Sequence, residues 1–139
     1  MNKKRSETTH ILVVDDDESI RNLLKILIVS KGYICSVAEN VTGAIRILEK
    51  SSVDLLITDI KMPGHSGIEL TKIAKEEYGA DVIVMTGYVA DYNYEKIIEE
   101  GATDFFKKPF SNKELLLRVK RVLNEQTVRR ERNLAEQCL

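Results

Sequence analysis

Five short apolar runs punctuate the chain, and each is followed by a stretch whose apolar residues recur every three or four positions. His10-Ile11-Leu12-Val13-Val14 is too short for a helix and almost wholly apolar, which predicts a strand buried on both faces. It stops at Asp15-Asp16-Asp17. Ile20, Leu23, Leu24, Leu27 and Ile28 then keep helical spacing, and Gly32 closes that helix. Tyr33 to Ala38 reads as a second strand, mixed enough for a sheet edge. Asn40 caps a helix carrying Ala44, Ile45, Ile47 and Leu48. The third run, Val53 to Thr58, ends abruptly in Asp59, with Pro63 and Gly64 close behind. Ser66 and Glu69 fit a capping box that opens a helix with Ile68, Leu70, Ile73 and Ala74, stopping near Gly79. Asp81 to Thr86 is the fourth strand. The loop Gly87-Tyr88-Val89-Ala90 leads to a helix near Asp91 to Glu100, whose thin apolar stripe (Tyr94, Ile97, Ile98) makes it the least firmly held. Thr103 to Phe106 is a fifth, short strand, and Ser111 with Glu114 forms a second capping box before a helix that turns Leu115, Leu116, Val119, Val122 and Leu123 inward. Five strand–helix alternations imply an α/β fold: a parallel sheet with right-handed crossovers and helices on both faces.

Length and composition leave this picture standing. A chain of 139 residues suits one domain with a single core. A formal net charge of −1 gives no global field favouring nucleic acid or an anionic membrane. Cys35 and Cys138 suggest neither a disulfide framework nor a zinc site, which fits a reducing cytoplasm. The basic start, Asn2-Lys3-Lys4-Arg5, lacks the apolar segment of a secretory signal, and no run reaches the length of a membrane span. The composition shifts after Leu123 to strong helix formers with almost no apolar face, read as a solvated extension of the last helix. Expected divisions are a flexible tail over 1–9, a folded domain over 10–124 and a polar helical extension or linker over 125–139. The basic residues Arg118, Lys120, Arg121, Arg129, Arg130 and Arg132 alternate with acids, which favours a solvated helix over direct nucleic-acid contact, and the apolar positions keep no heptad.

A parallel sheet brings the carboxyl ends of its strands to one edge, where ligands bind in open α/β folds. The first strand delivers Asp15 and Asp16 there, the third Asp59, the fourth Thr86 and the fifth Lys108. Crowded carboxylates repel and resist ionisation. A hard divalent cation relieves this, and oxygen donors suit Mg2+ (or Mn2+). An ammonium and a hydroxyl beside a free carboxylate, with such a metal, make a site for phosphoryl transfer, where positioning and charge neutralisation dominate. An aspartate can itself be the nucleophile, and Asp59, on the central strand before turn residues, is the candidate.

Val14-Asp15-Asp16, Thr58-Asp59-Ile60-Lys61-Met62-Pro63-Gly64, Met85-Thr86-Gly87 and Lys107-Lys108-Pro109-Phe110 resemble the signature of two-component response-regulator receiver domains, in that family's order and spacing, over roughly Thr9 to Asn124. The resemblance implies a flavodoxin-like sheet of order 2-1-3-4-5, doubly wound with five helices. It implies that Asp59 accepts phosphate from a sensor histidine kinase or phosphotransfer protein. Asp16, Asp59 and the Lys61 backbone carbonyl would bind the metal directly, with Asp15 acting largely through water. Thr86 would swing toward the phosphoryl group, Lys108 would pair with it, and Phe105 would turn inward as the switch aromatic. The Lys108–Pro109 bond is expected to be cis. Phosphorylation adds about −1.5 to −2 charges at pH 7. It would bias the face made by the fourth helix, fifth strand and last helix, which also offers a homodimer surface. By the same resemblance Lys61 and Tyr88 would flank the path of the attacking water, and their bulk predicts slow self-dephosphorylation.

Several residues have plainer roles. Asp17 suits a helix N-terminus; His10 and His65 have no partner ligand at useful spacing; Cys35 reads as a small core residue. Tyr88, Tyr92 and Tyr94 fit a partner surface or a cover for the thin helix equally well. Rival functions differ at named positions. An aspartyl-nucleophile phosphatase needs a second acid two residues after the first, where Lys61 stands. A nucleotide-binding module needs a glycine-rich turn after the first strand, where acids stand. A phosphorylation-independent adaptor would not need the intact five-residue set. The expected activity is therefore the domain's own phosphorylation and dephosphorylation, not turnover as an enzyme. No output-domain motif follows Leu123, so the chain either stands alone or stops within a linker to a separate C-terminal output domain.

Overall fold

The computed structural model describes residues 9–62, 65–87 and 94–137. Its sheet strands are β1 (His10–Val14), β2 (Ile34–Ala38), β3 (Leu55–Asp59), β4 (Asp81–Thr86) and β5 (Asp104–Lys107), all parallel, in the order β2-β1-β3-β4-β5. The helices are α1 (Glu18–Ser30), α2 (Val41–Lys50), α3 (Gly67–Tyr78), α4 (Tyr94–Glu99) and α5 (Asn112–Gln137). The expected architecture and strand order hold, with the mixed strand β2 at an edge.

Side chains alternate across a strand, and here both directions are apolar because both faces are covered. Leu12, Val14, Leu56, Val82 and Val84 point into a core with α2, α3 and α4, built around Ala44, Leu48, Leu70, Ala74 and Ile97. Ile11, Val13, Leu55, Ile57, Ile83 and Met85 point the other way, against Leu24 and Ile28 of α1 and Leu115, Val119 and Val122 of α5. The helix starts follow from their caps. Asp17 accepts from the Ser19 amide at 2.8 Å, Asn40 from Gly43 at 2.8 Å, Ser66 from Ile68 at 3.0 Å and Ser111 from Glu114 at 3.0 Å. Gly79 ends α3 with φ 66°, a left-handed conformation that favours glycine. Between β3 and α3, Lys61–Met62 pairs antiparallel with His65–Ser66 in a minimal hairpin, too short to leave an alternation readable in sequence.

The polar helical extension expected after Leu123 is present as the end of α5, exposed over 128–137, and only its start departs from the expectation by docking on the domain. The helix runs unbroken to Gln137, and Gln126 is buried. Gln126 Nε2 donates to the Asp54 carbonyl at 2.9 Å and to Asp81 Oδ2 at 2.7 Å. Arg129 reaches Asp81 at 2.7 Å and Arg130 reaches Asp54 at 3.1 Å. A polar residue docked on acids leaves no trace in hydrophobic periodicity. The basic residues are likewise turned on the chain's own acids, since Arg118 and Arg121 hold Asp104 at 3.0 and 2.6 Å.

Candidate functional site

Parallel strands set four of the singled-out residues at the carboxyl edge, with Asp16 one step beyond. Asp59 and Thr86 are the last residues of β3 and β4, while Asp15 and Lys108 directly follow β1 and β5. Asp15 is fully buried and tied down on every side. Its amide donates to the Ala38 carbonyl at 3.2 Å and its carbonyl accepts from Arg21 Nη1 at 2.8 Å. Its Oδ1 accepts from the Asp17 amide at 2.9 Å and its Oδ2 from Lys108 Nζ at 2.6 Å. The same ammonium donates to Asp59 Oδ2 at 3.0 Å. Asp59 is 8% exposed, whereas Asp16, next along the loop, faces solvent. Lys108 is aimed by its backbone: its amide donates to the Thr86 carbonyl at 2.9 Å, and a cis bond to Pro109 follows.

The charges decide what this edge can do. Burial pushes the Asp59 carboxyl above the usual carboxylate range; the Lys108 ammonium opposes that shift, the Asp15 charge adds to it, and the net stays upward. Burial alone would lower Lys108, but its two carboxylate partners outweigh it and the ammonium is held more firmly protonated than usual. One lysine is shared between two buried acids, and a third acid stands beside them. One oxygen from each of Asp15, Asp16 and Asp59 lies within 4.8 Å of the others. Three hard oxygen donors, two buried and one open to solvent, fit a hard divalent cation that keeps part of its water shell.

The other predicted residues fall around this centre. Thr86 is fully buried one residue past Met85, which stands in register with Asp59. Phe105 is partly buried against the core that α2, α3 and α4 share. Lys61 opens the hairpin two residues after Asp59, with its side chain exposed. Tyr88 and Tyr92 lie outside the described residues. His10 is structural: its ring Nε2 meets Ser36 Oγ at 2.7 Å and its amide donates to Asp54 at 2.9 Å. Burial raises the Cys35 thiol to about 11, which keeps it unreactive. Sequence reading missed Arg21, whose place in the amphipathic pattern of α1 gives no sign that it reaches back to Asp15. It also missed Gly67, whose signal was available: a weak helix former directly after an N-cap.

Comparisons with known proteins match this geometry. The family model for the response regulator receiver domain matches residues 11–120. The transcriptional regulatory protein ResD of Bacillus subtilis is 36% identical over 119 residues, which cover 86% of this chain and 50% of ResD. A CheY-like response regulator receiver domain from Methanospirillum hungatei superposes with a TM-score of 0.83 at 30% identity, covering 88% of this chain and 98% of that one. The beryllofluoride-activated NtrC4 receiver domain dimer superposes at 0.78 with 32% identity, covering 84% and 97%. The chain spans about half or less of the length of the curated relatives it matches. No helix among the described residues is long and apolar enough to cross a membrane. With fold, acidic edge and family model in agreement, the chain belongs to the response regulator receiver domain family of two-component systems.

Proposed function

We propose that Asp59 is the phosphoacceptor of a cytoplasmic switch that takes its phosphoryl group from a sensor histidine kinase or phosphotransfer protein. The observation that carries this reading is Lys108, whose ammonium bridges Asp15 and Asp59 at 2.6 and 3.0 Å beside the open carboxylate of Asp16. In the step, an Asp59 oxygen attacks the phosphorus of a partner phosphohistidine. The O–P bond forms, the P–N bond breaks, and the imidazole leaves with the electron pair. Lys108 steadies charge on the equatorial oxygens, and the Thr86 hydroxyl is the donor that follows the new phosphoryl group. Asp15, Asp16, Asp59 and the Lys61 carbonyl would hold Mg2+, or Mn2+ in its place, which neutralises charge on the transferred group when bound. The domain catalyses only its own phosphorylation and dephosphorylation.

Once Asp59 carries the phosphoryl group as an acyl phosphate, Lys108 and Thr86 gain a partner, and Phe105 and the face of α4, β5 and α5 respond. That face is also the proposed homodimer surface; that a receiver domain can dimerise at all is supported by the NtrC4 receiver being a dimer. The partial coverage of curated relatives supports an output domain beyond this chain, joined through the end of α5.

The test is Mg2+ with acetyl phosphate. One base-labile phosphate per chain is expected, and it is abolished in Asp59→Asn; label persisting in Asp59→Asn at the wild-type level would remove the central claim. Lys108→Ala is expected to keep some labelling yet lose the conformational response, and an unchanged fluorescence or dimerisation response would count against its role. Slow self-dephosphorylation through Tyr88 is checked by the lifetime of the labelled domain, which Tyr88→Ala should shorten.

A further inference from the structure

α3 begins on the phosphoacceptor's own backbone. The Gly67 amide donates to the Ile60 carbonyl at 2.7 Å. A Cβ at Gly67 would stand 1.9 Å from the Asp59 carbonyl oxygen, 2.8 Å from its carbon and 3.0 Å from Ile60 Cα. Ordinary non-bonded separations are about 3.5 Å. The obstructing atoms are main chain and cannot rotate aside. Gly67 is also absent from the glycines with positive φ, so the position needs glycine for space and not for a left-handed turn. Gly43 in α2 is the contrast: a Cβ there would meet neighbours at 3.4 and 3.5 Å.

The Asp59 peptide is gripped from more than one side. Thr58 Oγ1 donates to the Asp59 carbonyl at 2.9 Å. The fully buried Thr71 Oγ1 donates to the Gly67 carbonyl at 2.7 Å, an i to i−4 bond that stiffens the first turn of α3, the turn that abuts that peptide. Relieving a 1.9 Å contact would require the Asp59–Ile60 main chain to shift bodily, carrying the Asp59 Cα with it, and the carboxylate would leave its place beside Lys108 and the oxygens of Asp15 and Asp16.

We propose that Gly67 is a positioning residue for phosphoryl transfer: its missing side chain lets α3 press on the Asp59 carbonyl and aim the carboxylate at Lys108 and the metal position. The inference rests on Asp59 being the acceptor. Misplacement of reacting groups by about 1 Å costs on the order of 10²-fold in rate. The test compares wild type, Gly67→Ala, Thr71→Val and Gly43→Ala by circular dichroism, Mg2+ titration followed by backbone amide shifts, and the rate of labelling by acetyl phosphate. Gly67→Ala is expected to stay folded, to label about 10- to 100-fold more slowly and to bind Mg2+ roughly tenfold more weakly. Thr71→Val should move both readings severalfold in the same direction, and Gly43→Ala neither. A folded Gly67→Ala with wild-type labelling and Mg2+ affinity overturns the inference. If Gly67→Ala does not fold, Thr71→Val decides, and wild-type behaviour there overturns it equally. Failure of the acceptor reading shows separately, as an unlabelled wild type; Mg2+ affinity then still decides the positioning role.

Discussion

Asp59 and Asp81 stand on neighbouring strands at opposite edges of one sheet, both buried, and their environments push them in opposite directions. Asp81, at the amino edge, accepts from Lys75 and Thr103 at 3.1 Å and from Gln126 and Arg129 at 2.7 Å. Burial alone would raise its carboxyl, but these donors together hold it below the usual range. Asp59, at the carboxyl edge, shares one lysine with Asp15, and burial wins. The same side chain is held ionised by its donors at the amino edge and resists ionisation at the carboxyl edge. Under the proposed function it is this second edge that takes the metal and the phosphoryl group.

The comparison breaks most visibly at Asp81. Asp81→Ala removes the centre of a buried polar cluster and should cost about 3 kcal/mol, read as a lower denaturant midpoint. Gln126→Ala removes one donor from the Asp54 carbonyl, which keeps the Asp81 amide, and one from Asp81 Oδ2, which keeps Arg129, at a cost of about 1 kcal/mol, while labelling of Asp59 continues. Asp59→Asn should act with the opposite sign. A folded pKa raised above 3.8 means that stability falls as pH rises through the interval between the ordinary and folded values. In metal-free buffer at pH 7 the variant should therefore melt a few degrees higher than wild type, and the difference should vanish once both are below pH 3.8. For Asp81 the sign reverses. Its contribution is fully present above 3.8 and lost as pH falls through its lower folded value, so acid melts of wild type and Asp81→Asn should converge there. Arg129→Gln is the mildest change, since that side chain is half exposed; a loss of about 1 kcal/mol or less is expected.

The sequence announced the carboxyl edge far more clearly than the amino edge. Asp15, Asp59, Thr86 and Lys108 each terminate an apolar run or follow a strand directly, so alternation of strand and helix sufficed to gather them. Gln126, Arg129 and Arg130 occur in a stretch whose hydrophobic pattern is nearly blank, and their partners, Asp54 just before β3 and Asp81 at the start of β4, meet the helix only in three dimensions. Periodicity reports burial of apolar surface and is silent on polar groups that bury one another. Gly67 was legible in kind, as a poor helix former at a helix start, but its quarry, the Asp59 carbonyl, depends on a close approach that no spacing encodes. The hairpin before α3 left no pattern because its arms are two residues each.

The length of α5 gives the amino edge a mechanical meaning. At 26 residues the helix is about 39 Å long, and it is gripped at two levels, by Asp104 of β5 and by Asp54 and Asp81 at the amino edge. Were the proposed switch to tilt α5 about Gln126 by about 10°, Gln137 would sweep through roughly 3 Å, so a small adjustment at β5 would reach the far tip as a displacement the size of a hydrogen bond.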